Sequence, residues 1–181
     1  RRWLAGVMGT LAAVGSGLPR PRGGRGGAAR ALTPQEAYAE RQWLDMAPGE
    51  VVARSEEALR EALEDWQRVS GGGGDAIRRV LGTVGTVSPV YAIRKAMRQL
   101  LEREPDLVEQ VELVGEKLQL ADYLAYSSVF AATSGCGVEK ATQANQGSCA
   151  KEYVIQTKAE VEALLRAVVA LRRDANTAGV L

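Results

Sequence analysis

The sequence has 181 residues, with 23 Lys plus Arg against 22 Asp plus Glu and no histidine. A chain without imidazole has no Ser-His-Asp or Cys-His triad, no histidine general base, and no metal site that needs a histidine ligand. Hydrophobic residues at 46% and charged residues at 25% are ordinary for a folded domain, while aromatics at 5% are thin for a base-stacking surface. The composition points to a small helical protein and against most enzymes.

The balanced charge hides an asymmetry. Residues 1–31 hold six of the 23 basic residues (Arg1, Arg2, Arg20, Arg22, Arg25 and Arg30) and none of the 22 acidic ones, which leaves residues 32–181 with a net charge of −5. Bulk charge therefore does not make the body a polyanion binder. Arg1-Arg2 is followed by an uncharged, Gly-rich run from Trp3 to Pro19, shorter than the about 20 apolar residues that a spanning helix needs. Paired Arg, a weakly apolar stretch, a basic stretch and Ala29-Arg30-Ala31 are similar to a twin-arginine targeting signal with an A-x-A cleavage site. Residues 1–31 are expected to be a lumenal targeting signal, and 32–181 the mature helical domain beginning at Leu32. A retained signal anchor or a buried N-terminal helix is the alternative. A two-step chloroplast import signal would deliver the body to the thylakoid lumen, and a bacterial periplasm is the other compartment that fits.

In the body, Thr33-Pro34-Gln35-Glu36 is a capping box with proline at the first helical position, predicting a helix over about 34–46. Pro48-Gly49 is read as a break, with a second helix over 50–69 whose stripe is Val52, Leu59, Leu63 and Trp66. Gly71 to Gly74 reads as a flexible linker. Asp75 then caps a short helix carrying Ile77, Val80 and Leu81. Ser88-Pro89 starts a third long helix with Val90, Ile93, Met97, Leu100 and Leu101 inward. Pro105 starts a fourth, with Leu107, Val111, Val114, Leu118 and Ala121 inward, continuing towards Phe130 and breaking at Ser134-Gly135-Cys136-Gly137. A last helix is expected over 150–174, burying Val154, Val161, Leu164, Leu165, Val168 and Leu171. No segment alternates with period two and no internal repeat is found. The expected fold is all-α, an antiparallel bundle of about four long helices plus a short one.

Cys136 and Cys149 are the only cysteines, with 12 residues between them. In an exported protein the simplest reading is a disulfide; two free thiols and a redox switch are the alternatives. The rows Glu57, Glu61, Glu64 and Glu109, Glu112, Glu116 read as solvated helix faces rather than metal ligands. The glycines follow a helix and lack a GxxxxGK[ST] motif, so no phosphate cradle is expected. No catalytic, cofactor or metal residues are assigned. The unusual stretch is 78–91. It joins the basic pair Arg78-Arg79 to apolar Val84, Val87 and Tyr91 through a Gly-broken segment, with Arg94, Lys95 and Arg98 beyond it. It either packs across the end of the bundle or offers a docking surface made of Arg78, Arg79, Val84, Val87, Tyr91, Arg94 and Lys95.

The twin-Arg signal, the segment Leu81-Gly82-Thr83-Val84-Gly85-Thr86-Val87-Ser88-Pro89 and the segment Ala121-Asp122-Tyr123-Leu124-Ala125-Tyr126-Ser127-Ser128-Val129-Phe130 together resemble the thylakoid-lumen 16.5 kDa protein family, maintenance of photosystem II under high light 2, and its green-algal counterparts. The resemblance spans roughly residues 75–175, and the Cys136–Cys149 loop does not map onto it. It implies a non-catalytic auxiliary factor in the thylakoid lumen, peripheral to the membrane. Such a factor binds photosystem II core subunits on their lumenal side during repair or reassembly, with other repair or assembly factors as further partners and no nucleic acid. The competing expectations are a permanent PsbQ-like extrinsic subunit of a photosystem or NDH complex, and a lumenal peroxidase or thiol oxidoreductase. The lack of His and of a CxxC motif weighs against the last.

Overall fold

Pro48 opens a helix instead of breaking one. In the structure, a computed structural model that describes residues 42–134 and 143–181, α1 runs Pro48–Glu64 with Pro48 in its first turn, where a missing N–H costs no hydrogen bond. Residues 42–44 of the first expected helix are helical, and Asp45 and Met46, its expected last residues, form a bend instead. Residues 34–41, the predicted leader 1–31 and its cleavage site, and the break after Ser134 lie outside the described residues.

α1 buries Val51, Val52, Ser55, Glu56, Leu59 and Ala62 and stops at Glu64, short of the expected 69. Asp65 leaves helical geometry (φ −111°, ψ 42°) while its N–H still donates to the Glu61 carbonyl at 3.1 Å. A separate short helix α2, Trp66–Gly71, comes next. No Gly or Pro marks this break. It is a tertiary effect, in which the chain turns so that Val69 and then Ile77 reach the core.

The glycine run is not a flexible linker. Gly71 ends α2, Gly72 is the one residue between helices, and Gly73 begins α3, Gly73–Val80. Gly74 is buried where α3 crosses a later helix, α5 (Val108–Ser134): a Cβ there would lie 2.1 Å from the Ala125 carbonyl oxygen and 2.5 Å from Ser128 Oγ. Glycine is needed for that close approach. Asp75 is not the cap of α3. Gly72 holds that position without a side-chain bond, and Asp75 sits in the first turn, 3.5 Å from Arg78.

Ser88 caps as expected, its hydroxyl accepting from the Val90 N–H at 3.3 Å. The chain makes a 3₁₀ turn at Pro89–Ala92 before it enters α4, Ile93–Arg103. Pro105 likewise opens a 3₁₀ turn, Pro105–Leu107, before α5. The final helix α6, Gln143–Thr177, starts earlier than expected. It ends in a Schellman turn: Gly179 has φ +72°, and the Val180 N–H reaches the Ala175 carbonyl at 3.1 Å.

Every regular element among the described residues is helical, so the protein is all-α. α5 and α6 pack along each other in opposite directions, as the pairs Gln110–Asp174 and Lys117–Glu160 require. α1 lies against α6 and α4, and α3 against α5. The core collects Leu59, Ile77, Leu81, Ile93, Leu100, Leu118, Leu164 and Leu171, each under 2% exposed. Burial of each side chain is worth about 1.5–3 kcal/mol, so these stripes dominate the stability. The expected inward positions are buried, except that Leu63, Trp66, Val80, Leu101, Val111, Val154 and Leu165 lie half-buried at its edge.

Candidate docking surface

The segment between α3 and the Pro89 turn is held from several sides. Gly82 has φ +67°, and a Cβ on it would sit 2.2 Å from the Tyr91 backbone nitrogen, so only glycine lets the two strands of the loop meet. The single proton of the Thr83 hydroxyl is shared between Asp122 on α5 and the Arg78 carbonyl, the latter at 3.2 Å. Ser88 Oγ donates to the Val80 carbonyl at 2.5 Å, closing the base of the loop. Trp43 Nε1 donates to the Val87 carbonyl at 3.0 Å from outside. A loop fixed in this way presents its tip with little conformational entropy left to lose on binding.

The sequence-predicted docking residues divide into two groups. Arg78 faces inward. Its Nε donates to Asp122 Oδ1 at 2.8 Å, its guanidinium lies 4.9 Å from the centre of the Tyr126 ring, and its side chain is 19% exposed. Burial alone would lower the Arg78 pKa, but Asp122 and then Asp75 outweigh it and raise it further above its ordinary value. Tyr91 and Val84 are half-buried. Val87, beside the base of the loop, is 61% exposed, and Arg79, Arg94 and Lys95 are exposed. Lys95 Nζ donates to the Leu44 carbonyl at 2.5 Å. Val87 and Lys95 are therefore both tied to the two-residue stretch Trp43-Leu44.

An aromatic row on α5 was missed from the sequence. Tyr123, Tyr126 and Phe130 are 63%, 44% and 50% exposed, and the Tyr126 and Phe130 rings meet edge-on with centres 4.7 Å apart. Their spacing of three and four residues was the available signal.

The glutamate rows are solvent-facing. Glu57, Glu61, Glu64, Glu109, Glu112 and Glu116 are exposed, Glu57 pairs with Arg54 at 3.1 Å, and no group of three or more acidic or sulfur side chains among the described residues is arranged to hold a metal. Glu56 differs from them. It is buried between Arg60, at 2.5 Å, and Arg172 of α6, at 3.0 Å. Burial alone would raise its carboxyl pKa, but the two arginines outweigh that and hold it below the ordinary value.

Cys149 is disulfide-bonded. Its expected partner Cys136 lies outside the described residues. No described helix is long and apolar enough to cross a membrane. No protein-family model, curated protein or solved structure matches the chain.

Proposed function

We propose that this chain is a non-catalytic binding protein of the thylakoid lumen that docks on the lumenal side of a photosystem II core during repair or reassembly. Its body is read as an antiparallel bundle of α1, α4, α5 and α6. The observation that carries the docking role is the pinned loop at 82–88, which holds apolar Val87 out in solvent with Arg79, Arg94 and Lys95 also exposed. An exposed apolar side chain on a rigid loop suits the centre of an interface, and the exposed cations suit orientation against an acidic surface. The compartment and the partner come from the sequence resemblance and the targeting-signal pattern.

The test is co-purification from solubilised thylakoids after strong light, with wild-type chain and a Val87→Asp, Arg94→Glu variant of unchanged melting temperature. The expected result is substoichiometric recovery with core subunits for the wild type and loss for the variant. Equal recovery of wild type and variant would remove the loop as the docking element. Stoichiometric recovery with active, oxygen-evolving complexes would identify a permanent extrinsic subunit instead.

A further inference from the structure

Away from the loop at 82–88, the glycine run and the far ends of α5 and α6 enclose an open groove of about 700 Å³. This lies within the about 300–1,000 Å³ typical of sites for a single small ligand. One side is Gly71 to Gly74, which contributes no side chains. The other is mainly aliphatic, with Val129 and Ala132 from α5 and Val154 and Ile155 from α6, while Gln67, Ser70 and Ser128 add three uncharged polar side chains. Ile155 is 70% exposed, the most exposed of the large apolar residues described, and it borders this groove. The openness is a property of the glycines. A Cβ at Gly71 would meet nothing within 4 Å, and Gly71 has no positive φ that demands glycine.

Two charged residues border the groove, and they are not equivalent. Asp75 is engaged by Arg78 at 3.5 Å. Lys151 is exposed and has no ion-pair partner among the described residues. Lys151 is therefore the cation bordering the groove that no described carboxylate engages. A peptide laid there would bring N–H and C=O groups along its whole length against few side-chain partners, Gln67, Ser70 and a Ser128 whose hydroxyl already bonds the Ala125 carbonyl, at a cost for each group left unpaired. A hydrocarbon chain brings none, and its burial together with Ile155 is favourable.

We propose that this groove binds a single-chain amphiphile with an anionic head, namely a long-chain fatty acid, its chain along Val129, Val154 and Ile155 and its carboxylate at Lys151. The inference stands apart from the photosystem reading and uses none of the docking residues.

The experiment titrates the full oxidised chain with the fluorescent fatty acid cis-parinaric acid and displaces it with palmitate or hexadecanol. Gly71→Leu, which fills the trough, is expected to weaken palmitate at least tenfold with unchanged circular dichroism. Ile155→Asp should do the same. Lys151→Glu is expected to weaken palmitate while leaving hexadecanol unchanged, because only the former has a charged head. No saturable probe signal, or wild-type affinity in both Gly71→Leu and Ile155→Asp, would overturn the proposal. Binding to phosphatidylglycerol vesicles without binding of palmitate would overturn it in favour of a membrane-surface contact.

Discussion

Arg78 and Asp122 meet at 2.8 Å across 44 residues of chain, fastening α3 to α5 beside the loop whose Thr83 bonds the same carboxylate. The basic pair Arg78-Arg79 is uniform in sequence but split in role, with Arg78 holding the loop from within and Arg79 exposed. Arg78→Ala should therefore act on stability and not on recognition. It leaves Asp122 with one partner fewer in a part-buried site, which typically costs about 1–3 kcal/mol. Urea unfolding should show that loss, and hydrogen exchange should be faster at residues 82–88. Arg79→Ala should change neither. An Arg78→Ala protein with wild-type stability would refute the structural assignment.

Glu56 gives a pH dependence of definite sign. Its carboxyl lies below the ordinary value of 4.5 because Arg60 and Arg172 outweigh its burial. A depressed pKa means the unfolded chain binds the proton more readily than the folded one. The stabilisation is thus fully present above the ordinary value and is lost as pH falls through the lower folded value. Unfolding free energy should drop below about pH 4.5. Glu56→Gln should flatten that acid limb and cost about 1.5–3 kcal/mol at neutral pH, the range for a hydrogen bond to a charged group. An acid limb unchanged in the variant would place the dependence on other carboxylates.

Much of the fold was legible because helix entry is written locally. Ser88 and Pro105 mark real starts, and the stripes through Ile93, Leu118 and Leu164 predict burial correctly. Exits were less legible. Asp65 ends α1 with no breaker in sequence, and Pro48 and the glycine run were given the wrong meaning. A proline near a boundary signals a start as readily as a stop, and a glycine signals close approach as readily as freedom. Composition singled out residues 78–91 as a candidate docking stretch, but which side chains face out depends on Asp122 and Trp43. These lie 39 residues from Thr83 and 44 from Val87 and leave no local trace.

Two glycines of one loop should respond differently to the same change. Gly82 and Gly85 both have positive φ, at +67° and +77°, so alanine is strained at either. At Gly85 nothing lies within 4 Å of the new Cβ, and the cost should be the backbone strain of about 1–2 kcal/mol. At Gly82 the Cβ would also press on the Tyr91 backbone, at 2.2 Å from its nitrogen. Gly82→Ala should therefore be the more damaging, lowering the melting temperature further and freeing the loop. Equal melting temperatures for the two variants would contradict the close approach of Gly82 to Tyr91.

Cys149 sits near the start of α6, the helix whose later turns supply Val161, Leu164, Val168 and Leu171 to the core. The sequence offers it one intramolecular partner, Cys136, across 12 intervening residues. In the chain-entropy account, closing a loop of that size stabilises by roughly 3 kcal/mol, by restricting the unfolded chain more than by adding contacts. Cys149→Ser should thus lower the unfolding free energy by about 2–3 kcal/mol. Far-UV circular dichroism should stay near wild type, since the apolar stripes of α5 and α6 are untouched. Hydrogen exchange should quicken at the first turns of α6 and leave 161–175 protected. In the oxidised wild type both thiols should resist alkylation until reductant is added. Alkylation of both without reductant would rule out the bond, and collapse of helicity in Cys149→Ser would mean that the α5–α6 pair depends on it.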